Sequence, residues 1–197
     1  MSARLLIWRG EDGFRAESAQ AELGPHGLRA RGVQVGVDPD AYRLDYELET
    51  DERLVTRRVA LHAEGDGWSR TLELVRDRSG RWSPEVEGLD GAEDGDLHFS
   101  PLFNTMPALR AGLLERDDAA DFTMAFVSLP DLSVTPSEQR YEHVCRLEGG
   151  GAVVRYSSGD FSSELTYDAD GFVVDYPQIG SRAYPPSSAA NPSRQLG

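Results

Sequence analysis

From Tyr42 to Glu49 the chain reads Tyr-Arg-Leu-Asp-Tyr-Glu-Leu-Glu, so that every even position is apolar or aromatic and every odd one charged. Successive side chains of an extended strand point to opposite faces, and this stretch therefore predicts a strand with one buried and one wet face. The same period recurs with Val33, Val35 and Val37, with Val55, Val59, Leu61 and Ala63, and with Trp68, Leu72 and Leu74. It continues with Phe122, Met124 and Phe126, with Phe161, Leu165 and Tyr167, and with Phe172, Val174 and Tyr176. Tyr42, Leu44, Tyr46, Phe122, Phe126 and Leu165 are the expected apolar interior.

Short clusters rich in Gly and Asp separate these runs: Asp38-Pro39-Asp40, Gly65-Asp66-Gly67, Arg78-Ser79-Gly80, Gly149-Gly150-Gly151, Ser158-Gly159-Asp160 and Asp168-Ala169-Asp170-Gly171. Such residues tolerate the positive φ that tight hairpins require. Strand-turn-strand spacing of this kind predicts an all-β fold: a single curved antiparallel β-roll or barrel-like meander with little helix. A short helical turn near Met106 to Leu114 is the only helix expected, limited by Pro107 and Gly112. Pro84 to Pro107 is too long for a hairpin and reads as an ordered loop crossing the mouth of the sheet. One domain is expected over residues 1–184, with 185–197 a disordered Pro/Ser-rich tail.

Composition narrows function chiefly by exclusion. The formal net charge of −14 repels nucleic-acid backbones, so nucleic acid is not an expected partner. All 20 Lys-plus-Arg residues are Arg, which removes Schiff-base lysines and the P-loop lysine. Cys145, the single cysteine, excludes an internal disulfide, and in a strand it reads as a half-buried structural thiol. The apolar run after Arg4 is too short for a signal peptide or a membrane span, so the expected location is cytoplasmic.

No catalytic or metal motif stands out. His26, His62, His98 and His143 are scattered, and the one close pairing, His143 with Cys145 on a common strand face, supplies two ligands only. Asp90, Glu93, Asp94 and Asp96 lack the full calcium-loop pattern and read as a solvated acidic loop. No cofactor, metal or catalytic residue is assigned.

Several motifs of the second half belong together. Asp94-Gly95-Asp96-Leu97, Ser100-Pro101-Leu102-Phe103-Asn104-Thr105-Met106-Pro107, Gln139-Arg140-Tyr141 and Asp170-Gly171-Phe172-Val173-Val174-Asp175-Tyr176-Pro177 resemble the Putative glycolipid-binding family of bacterial proteins. Trp8, the strand from Tyr42 to Tyr46 and Thr56-Arg57 extend the resemblance over roughly Ile7 to Tyr184. It implies a spiral β-roll related in shape to lipoprotein carriers, and a glycolipid as ligand.

The residues themselves suit that implication. A bent sheet with aromatics inside and a loop across its mouth can hold a small apolar molecule. Polar groups at the mouth can bond a sugar head, and aromatic faces can stack on it. The expected ligand-binding residues are Asp96, Asn104, Thr105, Arg140, Tyr141, Asp175 and Tyr176, and the expected partner is a glycolipid or other amphipathic small molecule. Two alternatives stand beside this one. The first is an enzyme that uses Asp96, Asp175 or His98 as acid or base in the same cleft; the second is a structural module with a filled interior.

Overall fold

The computed structural model describes residues 3–11 and 13–185. The expected tail falls outside these residues, apart from Pro185. Among the described residues, fourteen strands form one unclosed sheet with a single short α-helix. The first half of the chain contributes β1 (Arg4–Gly10), β2 (Arg15–Gly24), β3 (Gly27–Gly36), β4 (Tyr42–Thr50), β5 (Thr56–Gly65), β6 (Trp68–Arg76) and β7 (Trp82–Ser83). The second half contributes β8 (Asp94–Leu97), β9 (Ala119–Val127), β10 (Val134–Arg146), β11 (Ala152–Ser158), β12 (Phe161–Tyr167), β13 (Val173–Tyr176) and β14 (Gly180–Tyr184).

Neighbours in the sheet are neighbours in sequence, with one exception. β1 pairs with β14, joining the two halves, and β7 and β8 form the two free edges. Pro84 to Glu93 therefore has to connect opposite edges of the sheet. It can do so because the sheet rolls until the β8 edge meets β5. Thr56 N donates to Glu93 O at 3.0 Å and Gly95 N donates to Thr56 Oγ1 at 3.1 Å. A Cβ on Gly95 would stand 3.1 Å from Val59 Cγ2, so β8 packs directly onto β5.

The stretch expected to be an irregular crossing loop thus contains a strand. β8 pairs with β9 in the parallel sense, the one parallel ladder among the described residues. The acidic cluster is correspondingly not all a solvated loop: Asp94 and Asp96 are buried on β8, whereas Asp90 is exposed and Glu93 half-buried. Ser100 to Pro107 also has regular structure, a 3-10 turn at Leu102–Asn104 followed by α1 (Thr105–Arg110). Pro107 lies in the first turn of α1, where a backbone N–H has no helical partner to lose. Gly112, with φ +68, lies just past the helix end.

The phase read for β4 is the observed one: Tyr42, Leu44, Tyr46, Leu48 and Thr50 are buried. In β3 it is reversed. Leu28, Ala30, Gly32, Gln34 and Gly36 face inward, whereas Val33 and Val35 are only half-buried and Val37 is exposed. The reason lies on the neighbouring strand. Gly32 and Gly36 are the cross-strand partners of Tyr46 and Tyr42, and a Cβ at either glycine would come within 2.6 Å of the facing ring. The two rings occupy the space that side chains on β3 would otherwise fill.

β9 buries residues on both faces, because Ala125 and Val127 pack with the β1–β6 half while Met124 packs with β10–β13. Phe122 and Phe126 are half-buried rather than central, while Leu165 is fully buried. In β13 it is Val173, not Val174, that is fully buried. A register shift between His143 and Cys145 breaks the common face expected for that pair, and Cys145 is exposed.

Candidate functional site

A half-open cavity of about 430 Å³ lies where β8 and the residues after it meet the late strands. One wall is Asp96, Leu97, His98, Phe99, Ser100 and Asn104. The second is Phe126 from β9 and Ser137 from β10. The third is Tyr156, Ser158, Phe161, Tyr176 and Ile179 from the last strands and their connections. Its size is in the usual range for small-molecule pockets, roughly 300–1,000 Å³.

The third wall is aromatic. Tyr156 packs edge-on against Phe161 and Tyr176, with ring centroids 6.0 and 5.9 Å away. On the opposite side the rings of His98 and Phe99 stack at 3.5 Å, and His98 meets Phe126 at 5.3 Å. Stacking of two adjacent residues depends on the left-handed backbone of Phe99, φ +65, a conformation costly for a non-glycine residue. Burial pulls the His98 imidazole down to about 4, so it is neutral at pH 7.

The polar end centres on Asp96. Burial pushes its carboxyl up to about 6, partly offset by hydrogen bonds from Gln139 and the Leu97 backbone. Gln139 Nε2 donates to Asp96 Oδ2 at 2.7 Å, and Tyr141 donates its hydroxyl towards Asn104 Oδ1 at 2.8 Å and Gln139 Oε1 at 3.1 Å. Asn104 Nδ2 donates to Ser100 O at 3.2 Å, and Tyr167 donates to Asn104 O at 3.1 Å. This connected network holds the Asp96 side of the cavity rigid. Ser137 Oγ and Ser158 Oγ lie 3.3 Å apart beside it.

Of the expected site residues, Asp96, Asn104 and Tyr176 line the cavity. Tyr141 is buried one layer behind, orienting Asn104. Thr105 is fully buried in α1 and its Oγ1 has no partner, so it neither lines the cavity nor ties the segment down. Arg140 is on the outer face, paired with exposed Asp121 at 2.8 Å. Asp175 lies outside the lining, where burial and then nearby Glu11 raise its carboxyl.

The period-two rule already contains two of these corrections, those for Arg140 and Asp175. Arg140 and Tyr141 are adjacent on β10, as are Asp175 and Tyr176 on β13, and adjacent strand residues face opposite ways. Choosing the face of Tyr141 selects Ser137 and Gln139 and rejects Arg140. Tyr156, Ser158, Phe161 and Ile179 had no comparable signal, because only the rolling of the sheet brings them to Asp96.

Two other hollows are less suited to an amphipathic ligand. One, about 820 Å³, runs beside β7 and is bordered by Asp77, Arg81, Glu85, Glu87 and Asp90. The other, about 550 Å³, lies on the outward face of β1–β5, where Leu5, Val33 and Ala60 sit among Gln20, Arg31, Asp45, Glu47 and His62. Gln20 and Arg31 there bond each other. No group of three or more metal-ligating side chains occurs among the described residues, and no helix among them is long and apolar enough to cross a membrane.

The family model described as "Putative glycolipid-binding" matches residues 5–182. A crystal structure of a DUF1089 family protein from Pseudomonas aeruginosa is 26% identical with a TM-score of 0.68, over 87% of this chain and 93% of that one. No curated protein matches.

Proposed function

We propose a function on the premise that this chain belongs to the Putative glycolipid-binding family: it binds one amphipathic small molecule of glycolipid type in the cavity beside Asp96, without transforming it. The observation that carries the reading is the division of that cavity. Phe126, Tyr156, Phe161, Tyr176 and Ile179 offer an apolar wall, and Asp96, Asn104, Ser137 and Ser158 offer hydrogen-bonding groups at one end. An aliphatic chain gains roughly 0.8 kcal/mol for each methylene buried against the first group. Hydroxyls of a head group exchange water for the second group at little net cost.

Binding without turnover is supported by how the candidate reactive groups are engaged. Ser158 Oγ donates to Glu138 O at 2.9 Å and is within reach of Ser137, so neither serine faces a base. His98 is stacked on Phe99 and its Nδ1 has no partner. A nucleophile would need a hydrogen-bonded base that is itself oriented. The acidic surface and the single free thiol further support a cytoplasmic carrier that does not engage nucleic acid.

The test is titration of a fluorescent acyl-chain probe, beside native mass spectrometry of gently purified protein. Saturable single-site binding, weakened about tenfold or more by Tyr176→Ala and Phe126→Ala, is the expected result. Non-saturable uptake, or affinity unchanged in both variants, would refute it. So would turnover of a bound compound that Asp96→Asn abolishes.

A further inference from the structure

Beyond Phe99 lies a second, much smaller hollow of about 10 Å³. Glu17, Arg15, Gln34 and Trp8 face it, and Phe99 and Ile179 line both this hollow and the larger cavity. Those two side chains are thus the partition between them. Ten cubic ångströms is about the room of one water-sized group.

The polar atoms around this hollow are poorly satisfied. Glu17 is buried, and its Oε1 accepts from Tyr46 at 2.5 Å and from Ser100 at 2.6 Å. Its Oε2 is buried without a partner, as is Arg15 Nε. Fully buried Gln34 has two long contacts, each 3.4 Å, from Tyr42 Oη and to His98 O. An unpaired buried polar group costs roughly 1–3 kcal/mol, so native proteins rarely leave several together. One acceptor and two donors around a one-oxygen space form the complement of a hydroxyl.

We infer that this hollow is a hydroxyl subsite, into which one hydroxyl of a polyol or sugar head group passes beside Phe99 to donate to Glu17 Oε2 and accept from Arg15 and Gln34. The inference rests on the ligand reading above and adds where the head group is read. Where Glu17 is ionised, above about pH 7, an anionic head group is disfavoured by Glu17 and a cationic one by Arg15, leaving a neutral hydroxyl. Passage requires only the partition to move. The Phe99 ring is held by stacking, with His98 at 3.5 Å and the Arg15 guanidinium at 3.3 Å, on a backbone already in a sparsely populated region.

The experiment compares octyl glucoside with a methyl-capped tetraoxyethylene octyl ether, which shares the chain but has no hydroxyl. Calorimetry should show the glucoside binding wild type about tenfold or more tightly than the ether. Glu17→Gln and Arg15→Met should each abolish that preference. On wild type alone, the Glu17 side-chain carboxyl carbon resonance should move on adding glucoside and stay put on adding ether, a readout independent of how any variant folds. Equal affinities in wild type, a preference retained in both variants, or a Glu17 resonance indifferent to glucoside would overturn the subsite and leave amphiphile binding standing. Binding of neither detergent would overturn both.

Discussion

The ring of Tyr46 stands where a side chain on Gly32 would have to go: a Cβ built on Gly32 lies 2.3 Å from Tyr46 Cζ. The same tyrosine donates its hydroxyl to Glu17 Oε1, so one residue on β4 sets both the packing of β3 and the orientation of a buried carboxyl on β2. Gly32→Ala should therefore destabilise the protein by roughly 1–3 kcal/mol, the usual cost of overfilling a packed interior. Urea denaturation reads this directly. An unchanged midpoint would mean that the ring can move aside freely.

Arg110 closes on Asp94 with two hydrogen bonds, that from Nη1 to Oδ1 measuring 2.8 Å, and the same Nη1 reaches Leu54 O at 3.0 Å. The pair ties α1 to β8 and to the β4–β5 connection. Arg110→Met should cost about 3–5 kcal/mol, because it leaves a buried carboxylate without its counter-charge. Adding Asp94→Asn to that variant should restore part of the loss. A double variant as unstable as the sum of the single ones would show that the two side chains act independently.

Burial raises Glu17 from 4.5 to about 7 and Asp96 from 3.8 to about 6. The folded state of each holds its proton to higher pH than the unfolded state does, so each contributes stability below pH 4 that is lost as pH rises through the folded value. For Glu17 the window is pH 4.5 to about 7, and the loss amounts to roughly 3 kcal/mol. Asp51 and Asp77, both lowered, run the other way, so the clean observable is a difference between variants. Glu17→Gln should melt higher than wild type at pH 8 and no higher at pH 4. The same difference at both pH values would contradict the assignment.

The placement of Arg140 outside and Tyr176 inside gives a paired prediction for binding. Arg140→Ala removes only an exposed contact to Asp121, and acyl-probe affinity should stay within about twofold of wild type. Tyr176→Ala removes part of the aromatic wall and should weaken the probe. Melting curves would establish that both variants fold. Loss of binding in Arg140→Ala alone would move the site to the outer face of β10.

The all-β fold was legible because strand alternation is a local property: Tyr42, Leu44 and Tyr46 declare their shared face within five residues, whatever surrounds them. The Gly-rich turns that divide the strands are equally local, since positive φ is a demand of the turn itself. β3 shows where local reading stops. Its valines alternate as a buried face would, yet Tyr42 and Tyr46 from the next strand fill that space and select the glycine face instead. The site lies further still from what a single strand can reveal. Asp96 and Tyr156 belong to strands that are not adjacent in the sheet, and they share a cavity because the whole sheet rolls and β8 docks on β5. Glu17 is the extreme case, an acidic residue indistinguishable in sequence from its solvated neighbours. Only the rolled sheet, which brings Tyr46 and Ser100 to it and excludes water, makes it a buried carboxyl.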